Sequence, residues 1–144
     1  MVEQSQAFGA VVIAVDANIL VYSLITFPKT HLAKDLRLKD PDWRFPPLWK
    51  YEFGNALTTM VRQNEISAQA AHEGFTEAQY LFAAGEMPVD DDLALQVALK
   101  RKLTFYDAQY LALAYTLNVP LLTEDKALRK AANGKAMSLE EFLN

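Results

Sequence analysis

The run Val11-Val12-Ile13-Ala14-Val15, closed by Asp16, constrains this chain more than any other stretch. It is β-branched almost throughout and carries no polar side chain. A strand with one wetted face alternates apolar and polar residues, and this one does not. Such a strand belongs inside a sheet covered on both faces, which calls for helices above and below it. The longer apolar stretch from Phe8 to Val15 has no basic segment before it. It is also too short to cross a bilayer, which takes roughly 20 residues. The reading is a soluble, cytoplasmic protein with no membrane association, and residues 1–9 form a loose N-terminal lead.

Helical and extended patterns alternate from there on. Asn18 to Leu24 predicts a helix start, stopped by Pro28, and His31 to Lys39 a short helix ended by Asp40-Pro41. Phe45-Pro46-Pro47-Leu48 is extended or loop-like, because each proline restricts the residue before it. Glu52 to Gln63 has helical spacing, with Phe53, Ala56, Leu57, Met60 and Val61 on one face. A second such helix is predicted from Ser67, a good N-cap, to Ala83. Met87-Pro88-Val89 is a candidate short strand. Asp90-Asp91-Asp92 and Lys100-Arg101-Lys102 bound a helix whose charges complement its dipole. Thr104 caps the next helix, with Tyr110, Leu111, Ala114 and Leu117 on its apolar face. Val119 to Leu122 predicts a strand, Lys126 to Ala132 a helix capped near Asn133-Gly134, Ala136-Met137 an edge strand, and Ser138 to Leu143 a last helix. Strands alternating with helices imply an α/β fold around a mainly parallel sheet, and 144 residues with 51% hydrophobic content suit one domain over residues 1–144.

Composition excludes several chemistries. Without cysteine there is no disulfide framework, thiolate nucleophile or cysteine zinc site, and His31 and His72 are too few for a multi-histidine centre. The net charge of −4 runs against the basic balance of most nucleic-acid binders. A bound cation would cancel that charge locally if the acids gather at one site.

Four acids occupy places that suggest such a site. Asp16 follows the first strand, and Asp125 follows Leu121-Leu122-Thr123-Glu124. In open α/β sheets the functional crevice lies beyond the carboxyl ends of the strands, so both should face it. Glu52 and Asp107 sit in the first turns of helices with long apolar faces. Singly, each suits a helix cap or the helix dipole. Together they offer hard oxygen ligands of the kind Mg²⁺ or Mn²⁺ takes. Two carboxylates about 5 Å apart at an effective dielectric near 20 repel by roughly 3 kcal/mol, so a cluster favours a cation.

These residues match a known family. Val-Val-Ile-Ala-Val-Asp16-Ala-Asn18-Ile-Leu resembles the first motif of PIN domains, and Glu52 with Asn55-Ala56-Leu57 the second. Leu103-Thr104-Phe-Tyr106-Asp107-Ala108 resembles the third, and Leu121-Leu122-Thr123-Glu124-Asp125-Lys126 the fourth. The match runs from about residue 11 to 143, and the length resembles the VapC toxins of toxin–antitoxin pairs. The resemblance implies a three-layer PIN-like sandwich and a metal-dependent endoribonuclease. Asp16, Glu52, Asp107 and Asp125 would be its catalytic and metal-binding acids. Asn18, Thr123 and, more weakly, Asn55 would be orienting groups. It also implies a cognate antitoxin and a homodimer.

The chemistry would be hydrolysis of an RNA phosphodiester, leaving a 5′-phosphate and a 3′-hydroxyl. Lys50, Arg62, Lys126 and Arg129 are candidate backbone contacts. Trp43, Trp49 and Tyr51 are candidates for stacking on unpaired bases. Two rivals remain. A phosphotransferase of the haloacid-dehalogenase type also opens on a strand ending in Asp, but needs a second Asp where Asn18 stands. A PIN-like scaffold that binds RNA or protein without cutting would not need all four acids.

Overall fold

A computed structural model describes residues 12–25 and 29–144. The expected N-terminal lead, Val11 and the helix stop at Pro28 lie outside the described residues. Ile13–Val15 forms β1, with all three side chains buried. It has a parallel partner on each side, Trp43–Arg44 (β2) and Leu121–Leu122 (β3). Ala136–Met137 (β4) pairs with the far side of β3, giving the order β2-β1-β3-β4, parallel throughout.

Parallel neighbours cannot be joined by a tight turn, so the chain returns through helices. From β1 to β2 it runs through α1 (Ala17–Leu24) and α2 (Thr30–Lys39). From β2 to β3 it runs through α3 (Trp49–Arg62), α4 (Ala68–Phe82), α5 (Asp91–Arg101) and α6 (Phe105–Leu117). The helix α7 (Lys126–Ala132) joins β3 to β4, and α8 (Leu139–Leu143) follows. Among the described residues, eight α-helices flank a four-stranded parallel sheet, the α/β architecture expected from the alternation of strands and helices.

The caps explain why most helix bounds were legible. Ser67, Asp90, Thr104, Asp125 and Ser138 each accept a backbone N–H in the first turn of the helix that follows. Lys102, Asn118 and Asn133 end α5, α6 and α7 in the left-handed conformation.

Three expectations change around β2. The strand beside β1 is Trp43–Arg44, and Met87-Pro88-Val89 is not a strand. The chain makes only a single parallel bridge there, Phe45 with Glu86, in which Met87 N donates to Phe45 O at 2.9 Å. Pro88 has no N–H with which to extend it. The helix carrying Glu52 begins one turn earlier than its apolar spacing suggested, at Trp49. Finally, Trp43 and Trp49 are buried at 5% and 2% exposure, so neither ring can stack on a base. They pack with Phe45, Phe53 and Phe82, mostly edge to face, with the Phe45 and Trp49 centroids 5.5 Å apart. Gly85 makes this packing possible, since a Cβ there would lie 2.4 Å from the Trp43 carbonyl oxygen.

Candidate active site

The sheet ladder continues one residue past β1: Asp16 N donates to Leu122 O at 2.9 Å. Asp16 therefore stands beside Thr123 at the carboxyl edge of two neighbouring parallel strands. Its carboxylate is held from three directions. Ala17 N donates to Oδ1 at 2.7 Å, Thr123 Oγ1 to Oδ2 at 2.7 Å, and Asn18 Nδ2 to Oδ2 at 3.3 Å. Asp16 is the N-cap of α1, and is only 7% exposed. Burial raises its pKa from 3.8 to about 7. The Thr123 hydrogen bond opposes that rise, the Glu52 and Asp107 charges add to it, and the Ala17 N–H opposes it again.

Thr123, itself fully buried, is a junction. Its Oγ1 also accepts from Asp125 N at 3.1 Å and lies 3.3 Å from Asn18 Nδ2. Asn18 Oδ1 accepts from Glu124 N at 3.4 Å. The loop after β3 is thereby tied to the loop after β1. Asp125 caps α7 through Leu128 N, at 3.1 Å from Oδ1. Asp16 and Asp125 thus serve as helix caps while lining the same cleft.

That cleft, of about 450 Å³, brings Asp16, Glu52, Asp107 and Asp125 together, with Asn18 beside them. They come from four separate segments: the end of β1, the first turn of α3, the first turn of α6 and the loop after β3. Glu52 has a raised pKa, from burial first, lowered in part by the nearby Tyr110 hydroxyl and raised again by Asp107. Asp107 is also raised, by burial and then by Asp125. Among the described residues, no three acidic or histidine side chains form a ready-made metal cage. Glu52 Oε1 and the Tyr110 hydroxyl are both buried without an aligned hydrogen-bond partner.

A PIN domain family model matches residues 13–134. The chain belongs to the PIN domain family. Over 94 residues this PIN domain is 36% identical to Ribonuclease VapC1 of Mycobacterium tuberculosis, an alignment spanning 65% of this chain and 71% of that protein. Over 93 residues it is 36% identical to Exonuclease VapC9 of Pyrobaculum aerophilum, spanning 65% and 68%. The crystal structure of PAE2754 from Pyrobaculum aerophilum superposes with a TM-score of 0.73 at 30% identity, covering 93% of this chain and 95% of that one. The haloacid-dehalogenase reading is thereby overturned. Asn18, where that chemistry needs an acid, is here an amide tying Asp16 to Thr123.

The other sequence-derived candidates are scattered over this PIN domain. Asn55 is exposed and lines a neighbouring pocket, which Glu52 also lines. Arg62 is exposed and faces a separate groove between α3 and α4, where His72 also lies. Arg129 donates to Thr123 O at 2.8 Å, bracing the junction from behind. Lys126 is exposed, and Lys50 sits on α3 with its Nζ 5.3 Å from the Tyr51 ring centroid. Tyr110 was missed as a site residue because it was assigned to the apolar face of α6. Its position three residues after Asp107 was the available signal, since i and i+3 share a helix face. No described helix is long and apolar enough to cross a membrane.

Proposed function

We propose that this PIN domain is a metal-dependent endoribonuclease and the toxin component of a VapBC-type pair, hydrolysing RNA phosphodiesters at Asp16, Glu52, Asp107 and Asp125. The observation that carries this reading is the meeting of four carboxylates from four distant segments in one cleft at the carboxyl edge of a parallel sheet. Its likeness to proteins named Ribonuclease VapC1 and Exonuclease VapC9 supports it.

The donor set fits Mg²⁺ or Mn²⁺. It is all oxygen, it includes a buried carboxylate oxygen with no partner at Glu52, and its pKa shifts are those of acids lacking a counter-charge. Mg²⁺ commonly takes one or two carboxylates and completes its shell with water and phosphate oxygens, so a cleft without a full protein cage suits it. Asp16, Glu52, Asp107 and Asp125 would hold the ion, which supplies charge neutralisation at the phosphate and a more acidic water. Thr123 and Asn18 fix the Asp16 carboxylate, and so fix where its free electron density points. A carboxylate oxygen of the cluster would accept the proton of the attacking water. Asn55 orients substrate from the adjoining pocket. Lys50 and Lys126 contact the RNA backbone, with Arg62 and Arg129 as lesser candidates. The protein acts in the cytoplasm as a homodimer restrained by a cognate antitoxin.

The test is cleavage of RNA with Mg²⁺ or Mn²⁺, parent against Asp16→Asn, with EDTA as control. Asp16→Asn is expected to cut cleavage by about 10²- to 10⁴-fold. Millimolar Mn²⁺ is expected to raise the melting temperature of the parent and not of the variant, because a ligand of the folded state stabilises it. Cleavage that survives both the substitution and EDTA would sink the hydrolytic reading. A metal-dependent thermal shift without cleavage of any RNA tried would favour a binding scaffold instead.

A further inference from the structure

The acid cleft does not end at Glu52. A second pocket, of about 620 Å³, opens on the other side of that residue, and Glu52 and Ala56 line both. Its remaining walls are Leu48, Tyr51, Asn55 and Tyr106. Tyr51 and Tyr106 are 72% and 63% exposed, among the most exposed large side chains described. Single exposed aromatics on a surface need no explanation. Here two from different helices, α3 and α6, meet at one pocket, and each lies one residue from a carboxylate of the cleft, Glu52 or Asp107. Lys50 brings an ammonium to 5.3 Å from the Tyr51 ring centroid, a cation beside the aromatic surface. Asn55 adds an amide that can both donate and accept.

We propose that this pocket is a stacking subsite for one unpaired nucleobase of an RNA strand whose backbone passes through the acid cleft. The inference rests on the ribonuclease reading for the path of the strand. Aromatic side chains bind bases through their π-faces without regard to sequence, and the Asn55 amide reads a base edge where an apolar wall could not. The occupant is single-stranded, because a paired and stacked base exposes no face to a tyrosine. The two tyrosines therefore select unpaired RNA and set the register of the strand against Glu52 and Asp107.

A cleavage-resistant, phosphorothioate-linked oligoribonucleotide carrying 2-aminopurine tests this, mixed with the full chain and Mg²⁺. Fluorescence of the base is expected to be quenched on binding. Tyr51→Ala or Tyr106→Ala is expected to weaken binding about 5- to 100-fold and to relieve the quench, whereas Tyr51→Trp and Tyr106→Trp retain it. The same label in a fully paired duplex is expected to show no quench. If affinity and quenching are unchanged in the doubly substituted Tyr51→Ala, Tyr106→Ala protein, the subsite is refuted, even where metal-dependent cleavage is intact. A parent protein that does not bind the oligonucleotide at all also refutes it, as when a protein partner is the true occupant. Tyrosine-dependent quenching in a parent protein that cleaves no RNA upholds the subsite and overturns hydrolysis.

Discussion

Two buried carboxylates at the carboxyl edge of the sheet have opposite fates. Glu124, directly after Thr123, is compensated within the chain. It pairs with the Lys29 ammonium through one oxygen and accepts Leu139 N at 2.8 Å through the other, tying the start of α8 to the loop before α2. Asp16, across the same Thr123, has hydrogen bonds but, among the described residues, no paired cation, and it faces Glu52 and Asp107. Burial without a counter-charge is costly for a carboxylate, and burial with one is not, provided the remaining lone pairs are filled. Glu124 therefore reads as architecture. Among the described residues, no cation is paired with Asp16 to offset the repulsion of Glu52 and Asp107.

The comparison breaks most sharply on pH. The folded pKa of Asp16, about 7, lies above its ordinary 3.8. Between those values the folded protein keeps a proton that the unfolded chain has released. Its contribution to stability is therefore complete below about pH 4 and lost as pH rises through 7. The loss amounts to at most about 4 kcal/mol. Glu52 and Asp107 shift in the same direction and add to it. Urea denaturation in EDTA should show the parent weakening from about pH 4 to about pH 7 and levelling off above it. Asp16→Asn should flatten most of that slope and exceed the parent in stability at the higher pH. A parent whose stability rises over the same range would mean that Asp16 is ionised and satisfied, and the contrast with Glu124 would collapse.

A smaller effect, of opposite sign, is expected on the other side. Glu124→Ala strands Leu139 N and frees Lys29, and should destabilise by about 2 kcal/mol at neutral pH. RNA cleavage measured at a temperature where the variant is folded should be unaffected. An increase in stability, read from the denaturation midpoint, would place Glu124 with the uncompensated acids.

The smallest effect sharpens the geometry at Glu52. The Tyr110 hydroxyl is buried beside Glu52 without an aligned partner, so Tyr110→Phe removes at most a weak hydrogen bond. Stability should change by less than about 1 kcal/mol. A loss of more than about 2 kcal/mol would reveal a genuine bond to Glu52, and that carboxylate would then count as partly compensated.

Local signals were enough for much of this. Ser67, Asp90, Thr104, Asp125 and Ser138 announced helix starts because capping is a matter of a side chain and the next three N–H groups. Signals that depended on distant packing misled. Trp43 and Trp49 looked available to bases, yet they fill the space between β2, α3 and α4, which no local pattern specifies. Where the pattern predicts a short strand at Met87–Val89, the chain makes only a single bridge, Glu86 with Phe45. Glu124 and Asp125 are adjacent, and nothing in their spacing separates the one that pairs with Lys29 from the one that lines the cleft.

By itself, the sequence determined that β1 is a buried central strand, that helices cover it, and that acids stand at the ends of two strands and the starts of two helices. Those are consequences of side-chain periodicity and of capping, both short-range. Only the tertiary structure decided which acids meet. It set Asp16 beside Thr123 through the β1–β3 register, brought Glu52 and Asp107 to the same cleft from α3 and α6, and gave Glu124 the Lys29 ammonium. Whether a carboxylate is balanced depends on charges far away in the chain, because electrostatic compensation acts through space and leaves no trace in local spacing.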